Sequence, residues 1–113
     1  MLNQARALDA AFHALADPTR RRIVERLMRE PASAGELKRP LAMTLPAVLQ
    51  HLTVLETAGL VRTQKRGRVR RCDINPEALG LVEDWLTARR LEWERRLDRL
   101  GDYLANDDRQ GEA

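Results

Sequence analysis

The sequence predicts a small, mainly α-helical domain carrying one β-hairpin, in the order α-α-α-α-β-β-α. Three observations give this reading. Apolar residues recur at spacings of three and four in three stretches before Gly59 and in one after Asn75, which is the period of a helix. Between Leu60 and Ile74 the pattern changes to short runs rich in β-branched residues, split by Lys65-Arg66-Gly67-Arg68, which reads as two strands and a tight turn. Cap residues and prolines mark most of the element ends. With 113 residues, the chain has room for one hydrophobic core.

The elements follow in order. Ala5, Leu8, Phe12 and Leu15 form one face of a first helix. Asp17-Pro18 starts a second, because Asp is a preferred N-cap and Pro at the first helical position gives up only an N–H that had no partner. Ile23, Val24, Leu27 and Met28 are its expected buried face, and Pro31 ends it. Ser33-Ala34-Gly35-Glu36 has the form of a capping box and opens a short helix that stops before Pro40. Thr44 caps a fourth helix, whose apolar stripe is Val48, Leu52 and Leu55 and whose C-terminal glycine is Gly59. After the hairpin, Asn75-Pro76 opens a long last helix through Leu79, Val82, Leu86, Trp93, Leu97, Leu100 and Leu104. The stretch 1–105 is expected as a single domain and 106–113 as a polar, flexible tail.

Charge is distributed unevenly. The net charge is +3, yet Pro18 to Cys72 holds 13 basic and 4 acidic residues, a net of +9. The remainder is −6. A basic middle between acidic ends suggests a polyanion-binding face. A lone cysteine, Cys72, rules out an intrachain disulfide and fits a reducing cytoplasm. No apolar run approaches the ~18 residues of a membrane span, and Asn3, Gln4, Arg6 and Asp9 interrupt any signal-peptide pattern. Two histidines and one thiol, with no Gly-rich phosphate loop, do not suggest an enzyme.

The short third helix, a turn and the Thr44 helix make a helix-turn-helix, whose second helix characteristically lies in the major groove of DNA. A hairpin directly after it is a wing. Ala16-Asp17-Pro18-Thr19-Arg20, then Leu45-Pro46-Ala47-Val48 with His51-Leu52, Leu55-Glu56 and Ala58-Gly59-Leu60-Val61, then Gly67-Arg68, resemble the ArsR/SmtB-type winged helix-turn-helix regulators over Phe12 to Ile74. The resemblance implies a homodimeric, DNA-binding transcriptional repressor, with first and last helices at the dimer interface. The metal sensors of that family carry a cysteine box in the third helix. Ser33 to Lys38 contains no cysteine, and no histidine follows His51. The chain therefore resembles the subset without metal boxes, and neither metal nor other cofactor is expected.

The expected DNA-facing residues are Thr44, Leu45, Pro46, Leu49, Gln50 and Thr53 on the fourth helix, and Lys65, Arg66, Arg68 and Arg70 on the wing. Five cations stand in the seven residues from Lys65 to Arg71, with no acid between Thr57 and Cys72. A merely solvated hairpin would mix signs; phosphate binding would not. Arg70 shares its strand face with Cys72 and Ile74, which makes it the weakest of these contacts. Gln50 matches adenine N6/N7, and Leu45 or Leu49 could meet thymine methyls. Leu49 is as compatible with packing against a neighbouring helix. His51 fits a structural, hydrogen-bonded histidine better than a DNA contact. Arg20, Arg21 and Arg22 oppose the dipole of the second helix, so either phosphate contact or pairing with acids is open.

The expected dimer interface is Leu8, Phe12, Trp85, Trp93, Leu97, Leu100 and Leu104, because a last helix of ~43 Å is too long for so small a domain to cover. Two rival functions remain: a protein-interaction module using this fold without DNA, and a repressor gated by oxidation of Cys72. A buried, hydrophobic role is the more natural reading of that thiol.

Overall fold

The computed structural model describes residues 2–111, with side chains described from 4 to 108. Its elements are α1 (Leu2–Leu15), α2 (Pro18–Arg29), β1 (Ala32–Ser33), α3 (Ala34–Lys38), α4 (Leu45–Thr57), β2 (Val61–Arg66), β3 (Val69–Ile74) and α5 (Pro76–Gly111). The expected order is present with one addition, β1. Two residues are too few for a periodic signal, and β1 exists only because β3 offers it a partner. The antiparallel sheet runs β1-β3-β2, with Ala32 opposite Cys72 and Ser33 opposite Arg71.

Local chemistry fixes the helix ends. The Asp17 carboxylate accepts the Arg20 N–H at 3.0 Å, capping α2. Ser33 and Glu36 exchange both bonds of a capping box around α3, at 3.1 and 3.2 Å. The Thr44 hydroxyl accepts the Ala47 N–H at 3.3 Å at the start of α4. At its far end Gly59 takes φ +78°, and the N–H groups of Gly59 and Leu60 donate to the carbonyls of Glu56 and Leu55. That is a Schellman closure, which orients the chain directly into β2. The hairpin pairs Arg66 with Val69 across a two-residue turn, where Gly67 has φ +62°. Positive φ at the first turn position is what a type II′ turn requires, and glycine supplies it without a Cβ penalty.

The chain divides into two compact units, 1–82 and 83–113. The first contains the core: Ile23, Val24 and Leu27 from α2, Leu37 from α3, Val48, Leu52 and Leu55 from α4, then Leu60, Val61 and Cys72. In α1 it is Ala11 and Ala14 that are fully buried, while Leu8 and Leu15 pack at the edge and Phe12 turns outward. Small residues let α1 approach α2 and α4 closely, so the larger side chains sit beside the contact. Met28 is 62% exposed and does not join the α2 face, lying one position past Leu27 at the edge of the stripe.

The second unit is the distal part of α5. The helix continues past Leu104 to Gly111, so 106–111 extend the helix where their polarity had suggested a tail. Extending a formed helix adds one hydrogen bond per residue fixed, and no proline intervenes. Glu112 and Ala113 lie outside the described residues.

Candidate nucleic-acid interface

Residues 34–57 form the helix-turn-helix, with α3 and α4 joined through Leu41 and Met43. Val48, Leu52 and Leu55 are buried without exposure, which leaves the opposite side of α4 outward. On that side Leu45, Pro46, Gln50 and Thr53 are exposed, and Leu49 is half-buried against the core. Two of the polar groups are already engaged. The Thr44 oxygen serves as the N-cap, and the Thr53 hydroxyl donates to the Leu49 carbonyl at 3.0 Å.

The hairpin is anchored beside α4 at its base. The Thr63 hydroxyl donates to the Glu56 carboxylate at 3.0 Å, joining β2 to the end of α4. Arg62 stands opposite Asp73 in the ladder and pairs with it at 3.4 Å, so its charge is compensated. The cations nearer the tip are not. Lys65, Arg66, Arg68, Arg70 and Arg71 make no ion pair among the described residues. Five like charges held close together without counter-charges favour an anionic partner over solvent alone.

Leu45 and Leu49 of α4 and Lys65, Arg68, Val69 and Arg70 of the hairpin line one open cleft of about 400 Å³, with Ser33 to Gly35 at its side. Arg70 is half-buried and still lines this cleft, beside the buried Cys72. Arg66 lies elsewhere, in a separate cleft with Pro31, Gln64, Arg71, Cys72 and Asp73. Thr44, Pro46, Gln50 and Thr53 are outside both. Besides Ser33 to Gly35, Val69, 54% exposed, is the cleft residue missing from the expected DNA-facing set. Its only signal is a β-branched side chain next to the turn.

Arg20, Arg21 and Arg22, at the start of α2, have a role that neither sequence reading anticipated. Arg20 Nε donates to the Ala14 carbonyl at 2.7 Å and Nη2 to the His13 carbonyl at 3.3 Å. Arg21 reaches the Leu15 carbonyl at 2.9 Å. They bond the last carbonyls of α1, of which the His13 carbonyl also accepts the Ala16 N–H, at an end where cations are favoured by the helix dipole. Arg22 donates to the Pro40 carbonyl at 3.4 Å. Arg20 Nη1 also lies 3.4 Å from His51 Nδ1, and that nitrogen lies 3.9 Å from the Asp17 carboxylate. His51 thereby ties α4 to the start of α2, a structural position. The Arg20 N–H bond holds the Asp17 carboxyl below its usual range, aided by the Arg20 and His51 charges.

Cys72 is fully buried between α2 and the sheet, and burial pushes its thiol from 9.0 up to about 11. A thiol kept protonated is a poor target for oxidants, which weighs against the redox-gated reading. Among the described residues no group of three His, Cys, Asp or Glu side chains converges as a metal site, and no helix is long and apolar enough to cross a membrane.

In the distal part of α5, Leu86, Trp93, Leu97, Leu100 and Leu104 fall on one stripe at spacings of seven, four, three and four, and all are more than half exposed. The Arg96 guanidinium lies over the Trp93 ring at 5.6 Å, and Arg89 over Trp85 at 5.3 Å. Ion pairs Arg90–Glu94 and Arg96–Glu92 run along the same helix.

Residues 15–64 match the helix-turn-helix domain family. The chain is 50% identical over 77 residues to the HTH-type transcriptional regulator Rv2034 of Mycobacterium tuberculosis, covering 68% of this chain and 72% of that protein. It is 25% identical over 79 residues to the transcriptional repressor SdpR of Bacillus subtilis, covering 70% of this chain and 88% of that one. Among solved structures it resembles the ArsR family transcriptional regulator RHA00566, with a TM-score of 0.75 and 46% identity over 80% of this chain and 93% of that one.

Proposed function

The chain belongs to the ArsR family of winged helix-turn-helix transcriptional regulators, and from that premise we propose that it is a cytoplasmic, dimeric repressor of an inverted-repeat operator. The observation that carries the reading is the cleft between α4 and the wing, where uncompensated Lys65, Arg68 and Arg70 flank the outward leucines of a capped helix. Wing cations supply affinity for any duplex, and α4 supplies selectivity. A second copy covers the α5 stripe, because five large apolar side chains on one 36-residue helix have too little of their own chain to pack against. Leu8 and Phe12 of α1, and Trp85 of α5, are further proposed contacts for a second copy. Two-fold symmetry then places the half-sites one DNA turn apart, ~34 Å. Repression follows from occupying the promoter; the Bacillus subtilis relative is itself named a transcriptional repressor.

The test is duplex affinity of the full chain across a range of salt. A steep linear fall of log affinity with log salt is expected, with a slope set by the phosphates neutralised. Affinity that is weak and insensitive to salt contradicts the reading.

A further inference from the structure

We propose that Leu45 and Leu49 read thymine: the operator half-site presents thymine C5-methyl groups to the first two turns of α4, and these leucines set the preference there. This rests on the reading of α4 as the helix that enters the major groove.

The inference starts from what α4 lacks. No Lys or Arg occurs from Leu45 to Thr57, so the bidentate contact to guanine O6 and N7, the commonest specific one, is not available from this helix. The Thr44 and Thr53 side chains are bonded to their own backbone, and His51 faces Arg20 and Asp17. Gln50 is the one outward side chain with both donor and acceptor free, and its matching base is adenine, the partner of thymine.

What α4 does present is apolar. Leu45, at the first helical position, is 40% exposed. Leu49 lies one turn on, on the same side of the helix, and Val69 of the wing completes the apolar floor of the cleft. The apolar group on the major-groove edge of a base pair is the thymine methyl. Around this floor stand Lys65, Arg68 and Arg70. Duplex DNA has the complementary layout, with methyls in the groove between two rows of phosphates. A protein partner would have to supply an apolar side chain flanked by acids to match the same cleft.

The experiment begins with half-sites selected by the full chain from a random duplex library. Thymines are then replaced one at a time by deoxyuridine, which removes only the methyl. For the wild type, binding weakens about fourfold for each methyl that meets a leucine, the value of one buried methyl-sized group. Leu45→Ala and Leu49→Ala each lose the methyl preference at the thymine that the replaced leucine meets, and the double variant binds the thymine and deoxyuridine duplexes equally. Leu45 is exposed, so its variant tests the claim without risk to the core that Leu49 also touches. Unchanged binding of deoxyuridine duplexes by the wild type overturns the inference while leaving DNA binding intact. So does a wild-type preference for G·C pairs opposite α4, or a thymine preference that survives both alanine variants. Failure to enrich any duplex overturns the inference together with the reading beneath it.

Discussion

The Nε of Arg20 donates to the carbonyl of Ala14 at 2.7 Å, so the first turn of α2 closes the last turn of α1. The same guanidinium bonds the His13 carbonyl and approaches His51 of α4, which makes one side chain the junction of three helices. Arg20 is half-buried, and hydrogen bonds to a charged group carry about 1.5–3 kcal/mol. Arg20→Met should therefore lower stability by about 2 kcal/mol in urea unfolding. Arg21→Met removes one exposed bond and should cost less than about 1 kcal/mol. Equal losses would show that the junction is not where the structure puts it.

Arg62 and Arg68 are both arginines of the hairpin, yet only Arg62 has a carboxylate partner, Asp73. Replacing Lys65 and Arg68 together by Ala should weaken binding to every duplex and reduce the salt slope by about 2 per subunit, about 4 for a bound dimer, one phosphate for each cation. Arg62→Ala should leave that slope nearly unchanged. A slope equally sensitive to Arg62 would move the phosphate contacts to the base of the wing.

Cys72 makes stability fall at high pH. Its thiol ionises at about 11 in the fold, against an ordinary value of 9.0, because the thiolate would be buried. The folded state thus holds its proton longer than the unfolded chain. The stability associated with the neutral thiol is complete below pH 9 and is lost as the pH rises from 9 through about 11. Unfolding of Cys72→Ala should show a shallower loss over that window. In the folded wild type at neutral pH, a maleimide should label Cys72 only at the rate of unfolding, and rapid labelling would restore the redox-gated reading.

The α5 stripe gives a test of assembly. Leu97→Glu or Leu100→Glu puts a charge among side chains that are more than half exposed in the single chain, so the fold of each subunit should be kept. Sedimentation should show a dimer for the wild type and a monomer for either variant. Operator affinity should fall at least about tenfold, since one half-site contact is lost with its partner. A wild-type monomer would remove the symmetry argument for an inverted repeat.

Features set by neighbouring residues were readable before the structure. Asp17, Ser33 with Glu36, Thr44 and Gly59 all act within three or four positions, and each caps the helix end its sequence indicated. Features set by distant residues were not. The β1 strand exists through its pairing with Cys72 and Arg71, some forty positions on. Arg20 and Arg21 were legible as a run placed against a dipole, but the carbonyls they serve belong to another helix. The candidate site shows the same division. Leu45, Leu49 and the wing cations could each be named from the sequence, whereas the cleft that groups Arg68 with Leu45 and sends Arg66 elsewhere follows from hairpin register.

The central claim is that two copies place α4 in successive major grooves of one operator. Selection of bound sequences from a random duplex library tests it most directly, because DNA binding, symmetry and spacing are read in one result. The account predicts an inverted repeat with half-site centres about one turn, ~34 Å, apart. A single asymmetric site, or no enrichment at moderate salt, would contradict it.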